Sequence, residues 1–150
     1  MARKSSERLQ TLLKLAAMRE QAAARQLAQS SERLQQARQQ SAQLQDYEHD
    51  YRQRYVDLGN APVNRNFFLN FQGFFRQLET ARLQQGQMVR QREADREQAR
   101  LRWLEQYAKR RLLSRVRERR LATEALAAEK KTQREIDDRA ARRPPPDTTA

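Results

Sequence analysis

Between Leu9 and Leu58 the chain places a seam residue at nearly alternating steps of three and four. The positions are Leu9, Leu13, Ala16, Glu20, Ala23, Leu27, Ser30, Leu34, Ala37, Ser41, Leu44, Glu48, Tyr51, Tyr55 and Leu58. Most of them are apolar or small, and the residues between them are nearly all Gln, Arg, Glu and Ser. Such spacing keeps one narrow stripe on the same helix face. Sustained over about seven heptads, it predicts a coiled coil rather than a helix packed into a thick core. Ser5 and Ser6, followed by Glu7, offer an N-cap and a first-turn acid, so helix 1 is expected over about 6–58.

The pattern stops at "LGNAPVNRN". Gly59 or Asn60 can supply a left-handed C-cap, Pro62 cannot continue the helical hydrogen bonding, and Asn64 or Asn66 can cap a second helix. A turn over about 59–65 follows. No further break occurs before Pro144, which sets helix 2 at about 66–142 and leaves 144–150 as a disordered tail. Gly73 and Gly86 each weaken helix 2 locally by roughly 1 kcal/mol without lying in a turn cluster. A short link between two long amphipathic helices favours folding back. The expected fold is therefore all-α: one domain over 1–143, a long antiparallel two-helix coiled-coil hairpin whose second helix extends beyond the first.

If Leu58 faces Arg65, the numbers of facing residues sum to about 123. Tyr51 and Tyr55 then oppose Phe68, Phe71 and Phe74, and the start of helix 1 lies opposite about residue 118. Beyond that point the helix carries only an apolar trace, Leu121, Ala125, Leu126 and Ile136, with nothing in the chain to cover it. A single helix of this kind is marginal in water and is expected to order on a partner.

Composition agrees with a thin seam. Of 150 residues, 37% are hydrophobic and 33% charged, with three glycines and four prolines. This is too little apolar mass for a thick core and too few turn-formers for many elements. The formal net charge of +12 implies an acidic protein surface, nucleic acid or anionic lipid as partner. Cysteine is absent, which excludes disulfides, thiolate metal sites and thiol nucleophiles. The basic N-terminus has no signal-length apolar run, and no stretch approaches the ~18 apolar residues of a membrane span, so a soluble cytosolic protein is expected.

Candidate chemistry is sparse. His49 sits in "DYEHDY" beside Asp46, Glu48 and Asp50, but one His with carboxylates on different helix faces makes no coordination cage. There is no phosphate-cradling glycine loop and no nucleophile elbow, so the chain is not expected to be an enzyme or to carry a cofactor. The basic run "KRRLLSRVRERR", residues 109–120, holds seven Lys and Arg to one Glu. It reads as a surface for an acidic protein, as a phosphate-binding helix, or as a solvated face. Leu112, Leu113 and Val116 interrupt it as seam residues would, and a base-reading Asn or Gln pattern is missing.

All five phenylalanines fall within "NFFLNFQGFF", residues 66–75. One stripe, Leu44, Glu48, Tyr51, Tyr55 and Leu58 with Phe68, Phe71, Phe75 and Leu78, faces inward; Tyr55, Phe68, Phe71 and Phe75 make an aromatic lock for the hairpin. A second stripe steps four, three, four on both helices: Gln40, Leu44, Tyr47, Tyr51 and Phe74, Leu78, Ala81, Gln85. Two helices have no second layer to cover both, and an exposed apolar patch of that size marks a binding surface.

On these residues the chain resembles the FliJ family of flagellar type III export proteins over nearly its whole length. The similarity is carried by the Ala/Gln-rich opening helix, "DYEHDYRQRY", "NRNFFLNFQGFFRQLE", Trp103 in "ARLRWLE", and the closing "IDDRAARR". Injectisome stalk proteins of the YscO type share the architecture but lack much of this aromatic text. The resemblance implies a stalk-like antiparallel coiled coil, similar to the central stalk subunit of rotary ATPases. Its end holding both termini would insert into the hexameric export ATPase, FliI, and promote ring assembly and activity. It would couple the ring to the export gate protein FlhA and bind export chaperones, peripherally at the cytoplasmic side of the inner membrane.

The family's gate-binding surface matches Gln40, Leu44, Tyr47, Tyr51, Phe74, Leu78, Ala81 and Gln85, with Gln85 standing where relatives often have histidine. The ring-binding end would comprise Leu9, Leu13, Arg110, Arg111, Arg115, Arg117, Arg119 and Arg120. Read from the residues alone, two alternatives stay open: a basic coiled coil binding nucleic acid, and a homodimeric structural coiled coil with the phenylalanines as its seam.

Overall fold

Ala, Leu, Gln, Glu and Arg, the strong helix formers, fill both halves of the chain, and the chain responds with two long helices. A computed structural model of the protein describes residues 2–59 and 65–143, with side chains described from Ser5 onward. Helix α1 runs Ala2–Leu58 and helix α2 Arg65–Arg142, 57 and 78 residues respectively, and no strand occurs among the described residues. Asn60, Pro62 and Asn64 of the expected turn, and the tail 144–150, lie outside the described residues.

The expected start of α1 needs correction, as does Gly59 as a left-handed cap at its end; Asn60, the alternative cap, lies outside the described residues. The helix starts at Ala2, so Ser5 and Ser6 lie inside it and Glu7 is beyond its first turn, which contains no acid. Ser5 Oγ instead accepts a 2.6 Å hydrogen bond from Arg120 Nη1, which engages the hydroxyl across the helix pair. At the other end Gly59 is not left-handed, since no glycine among the described residues has positive φ. Its N–H donates to both Tyr55 O at 2.9 Å and Val56 O at 3.2 Å, tightening the last turn with a shared bond. Asn66, the other cap candidate, lies within α2. The last turn of α2 carries Arg139 and Arg142, which suit the negative end of the helix dipole.

The chain divides into two compact units. The aromatic unit comprises Arg19–Gln106; the terminal unit combines residues up to Met18 with those from Tyr107 onward. In the aromatic unit the helices pair antiparallel: contacts pass from Tyr55–Phe68 through Tyr51–Phe71 to Ala37–Gln85, so α2 numbers rise as α1 numbers fall. In the terminal unit the Ser5–Arg120 bond sets the pairing.

Burial follows the expected seam closely. Every seam position from Leu9 to Tyr51 is buried or half-buried, and nearly every residue between them is exposed. The buried apolar residues are Leu9, Ala16, Ala23, Leu34, Ala37, Phe71 and Ala99. Four of these seven are alanines, which allow close helix approach but each bury little area, so Leu9, Leu34 and Phe71 contribute most, at about 2–3 kcal/mol apiece. The thinness of the seam explains why 33% charged residues are compatible with this fold.

Within the helices, hydroxyls of Thr11, Thr80, Thr123 and Thr132 bond the carbonyl four residues back, at 2.8–3.0 Å, which satisfies them without a tertiary partner. Gly73 and Gly86 are helical, and a Cβ at either would meet nothing within 4 Å beyond the adjoining backbone of its own helix. In the terminal unit α2 stays helical to Arg142, yet apart from half-buried Glu124 every residue from Leu121 to Arg143 is exposed. Leu121, Leu126 and Ile136 are among these exposed residues.

Candidate functional site

In the aromatic unit, Tyr51 is the ring that organises the phenylalanines. It stacks on Phe71 at 4.4 Å and 17°, meets Phe74 at 4.4 Å, and meets Phe75 edge-on at 5.8 Å. Tyr55 packs on Phe71 at 4.8 Å and reaches Phe68 only at 6.0 Å. Of the four expected lock residues, Phe71 is buried and Phe75 half-buried, while Tyr55 and Phe68 are exposed at 39% and 40%. The difference is positional. Tyr55 lies in the last turn of α1 and Phe68 in the first turn of α2, where no further layer among the described residues covers them.

The second stripe divides in the same way. Leu44, Tyr51, Leu78, Ala81 and Gln85 are half-buried, whereas Gln40, Tyr47 and Phe74 are exposed. Phe74 serves both stripes, resting one face on Tyr51 and leaving about a third of its surface in water. Tyr47 is 64% exposed and touches none of the rings. Gln85 Nε2 donates to Ala37 O at 3.0 Å and to Gln40 Oε1 at 3.3 Å, which ties the α2 end of the stripe to α1.

A groove of about 570 Å³ opens beside this stripe, lined by Gln40, Gln43, Leu44, Asp46, Tyr47, Asp50 and Gln85. Gln40, Leu44, Tyr47 and Gln85 belong to the stripe read from the sequence. Gln43, Asp46 and Asp50 do not, because the step pattern selects one face of each helix and these residues border the groove from beside it. Directly across the same stretch, Glu48 occupies a seam position with its side chain 13% exposed. Arg52 and Arg82 each approach one of its carboxylate oxygens to 2.8 Å. The hydrogen bond from Arg82 holds the Glu48 carboxyl below its ordinary value; burial opposes this, and the charges of Arg82 and Arg52 add to it.

A second depression, of about 320 Å³, lies between the small seam residues Ser30 and Ala99 in the same unit, with Arg33, Arg92 and Arg102 among its lining. Nothing in the heptad pattern marks it beyond the small size of those two seam residues. Arg92 is partly neutralised by Asp95 at 3.6 Å.

In the terminal unit the eight expected ring-end residues fall into four groups. Leu9 is buried and Leu13 half-buried, so both are seam residues first. Arg110 and Arg111 lie over the Tyr107 ring at 5.7 and 5.9 Å, and Arg111 Nη1 also donates to the Tyr107 hydroxyl at 2.9 Å. Arg120 holds Ser5 and Arg117 is half-buried, which leaves Arg115 and Arg119 as exposed arginines whose guanidinium groups bond no described residue. Leu113 and Val116 are half-buried as seam residues should be, but Leu112 is 64% exposed. At about 100° per residue it points away from the face shared by residues 110, 113 and 117.

The arrangement is that of a helical hairpin, two long helices packed against each other. No helix among the described residues is long and apolar enough to cross a membrane. The family model for the flagellar FliJ protein matches residues 5–144, and the chain belongs to the FliJ family. It is accordingly a flagellar export-related component. No individual curated protein matches the chain.

Proposed function

We propose that the chain is a non-enzymatic stalk and coupling factor of the flagellar type III export apparatus. The observation that carries this reading is the overshoot of α2 in the terminal unit. Arg120 meets Ser5 near the start of α1, yet α2 continues to Arg142 with Leu121, Leu126 and Ile136 exposed. A helix so weakly amphipathic gains stability only by docking. A basic helical extension of this kind suits insertion into a ring of subunits lined by acidic groups, here the FliI hexamer. Arg115 and Arg119 are the cations best placed to be read there.

On this reading the terminal unit promotes assembly and activity of the ATPase ring. The Tyr47 groove and the adjoining stripe bind the export gate protein FlhA, which keeps the chain cytoplasmic and peripheral at the inner membrane. Export chaperones are further partners. The test is the ATP hydrolysis rate of the purified export ATPase, titrated with the full chain and with a form lacking residues 122–150. Stimulation by the full chain that is lost on truncation, with α1–α2 helicity retained by circular dichroism, is the expected result. Absence of stimulation by the full chain at low salt would refute the proposal.

A further inference from the structure

Resting on that assignment of the Tyr47 groove to the gate, we infer that the groove selects a partner segment carrying a large apolar side chain with a Lys or Arg within about one helical turn of it. The groove has an apolar part, Leu44 and the 64%-exposed Tyr47, and two carboxylates, Asp46 and Asp50. Asp46 and Asp50 are four residues apart on α1, so they project to the same side, about one turn from each other, flanking Tyr47. Neither carboxylate makes a bond or ion pair with a described residue, whereas the neighbouring Glu48 is held by two arginines. The protein has arginines on hand, and it neutralises the seam carboxylate while leaving the groove pair open.

The charge background sharpens the point. In a chain of 31 basic and 19 acidic residues, a groove bordered by two acids and no base is a local reversal of sign. It attracts a cation, and salt dependence and self-association measurements separate the gate from the basic surface of a second copy. The remaining lining, Gln43 and Gln85 among it, is uncharged and adds no cation that would compete. The apolar part supplies the affinity of a buried side chain, and the aspartates choose what stands beside it.

The experiment measures binding of the full chain to the purified cytoplasmic portion of the gate protein, with each variant checked for helicity. Asp46→Asn and Asp50→Asn are each expected to weaken binding about two- to fivefold, as exposed ion pairs do. Asp46→Lys/Asp50→Lys is expected to weaken it at least tenfold. Glu32→Lys, which changes net charge outside the groove, is expected to leave it unchanged. Binding by the unsubstituted chain is expected to fall as salt rises.

If Tyr47→Ala weakens binding but the aspartate variants do not, the charge selection is overturned and the groove assignment stands. If neither substitution matters, or the full chain does not bind the gate, the groove assignment falls and the selection with it. If the aspartate variants change only self-association measured by light scattering, the occupant is a second copy, and the inference is wrong.

Discussion

Arg82 on α2 places Nη1 2.8 Å from Glu48 Oε2 on α1, so a seam position of the coiled coil is occupied by a cross-helix ion pair. Arg52, one turn along α1, takes the other oxygen at the same distance. A glutamate in a seam is otherwise unfavourable, and this fork of two guanidiniums is what makes Glu48 compatible with its position.

The pair makes stability depend on pH in one direction. The folded-state carboxyl of Glu48 titrates below its ordinary value of 4.5 because Arg82 hydrogen-bonds the charged form. The unfolded chain therefore takes up the proton first, so the contribution is complete above about 4.5 and is lost as pH falls through the lower folded value. Thermal melts should show a falling midpoint below pH 4.5, and Glu48→Gln should flatten that part of the profile. An unchanged slope in the variant would show that other carboxylates set it.

Gly73 and Gly86 lie within α2 with open space where a Cβ would stand. Replacing either with Ala removes unfolded-state entropy and adds helix propensity without a clash. Gly73→Ala and Gly86→Ala should each stabilise by about 0.5–1 kcal/mol in urea denaturation. A loss of stability would mean that the backbone there is not regular helix.

Core truncations should separate from surface ones. Leu34 and Phe71 are the best-buried large side chains, at 3% and 5% exposure, so Leu34→Ala and Phe71→Ala should cost about 2–4 kcal/mol. Tyr47→Ala, at an exposed site with no ring contact, should stay within about 0.5 kcal/mol. Equal losses for Tyr47 and Phe71, read from denaturation midpoints, would contradict this division.

Phe74 should behave between these limits. Its ring meets Tyr51 at 4.4 Å, so Phe74→Ala should cost about 1 kcal/mol in stability. It should also weaken gate binding, whereas Tyr47→Ala should affect binding alone. Measuring both quantities on both variants checks the point; a Phe74 variant with full gate affinity would confine that ring to the hairpin.

The sequence alone determined the helices and the seam. Side-chain spacing along a helix is a local property, so the positions from Leu9 to Tyr51 could be assigned to one face without knowing what covers it, and the structure covers that face. The absence of glycine and proline between Leu9 and Leu58 likewise predicted one uninterrupted helix, and the overshoot of α2 followed from counting residues on either side of the turn.

What depended on the neighbouring helix was not legible. Heptad steps place Tyr55 and Phe68 on the inward face as readily as Phe71, but burial also needs a covering layer, and among the described residues that layer ends before these two rings. The N-cap read at Ser5 rested on local chemistry that competes with Arg120, more than a hundred residues away in sequence. Asp46 and Asp50 are ordinary polar positions in the pattern. Only the pairing of α1 with α2, which puts Gln85 across from Gln40 and leaves Tyr47 uncovered, turns them into the border of a groove.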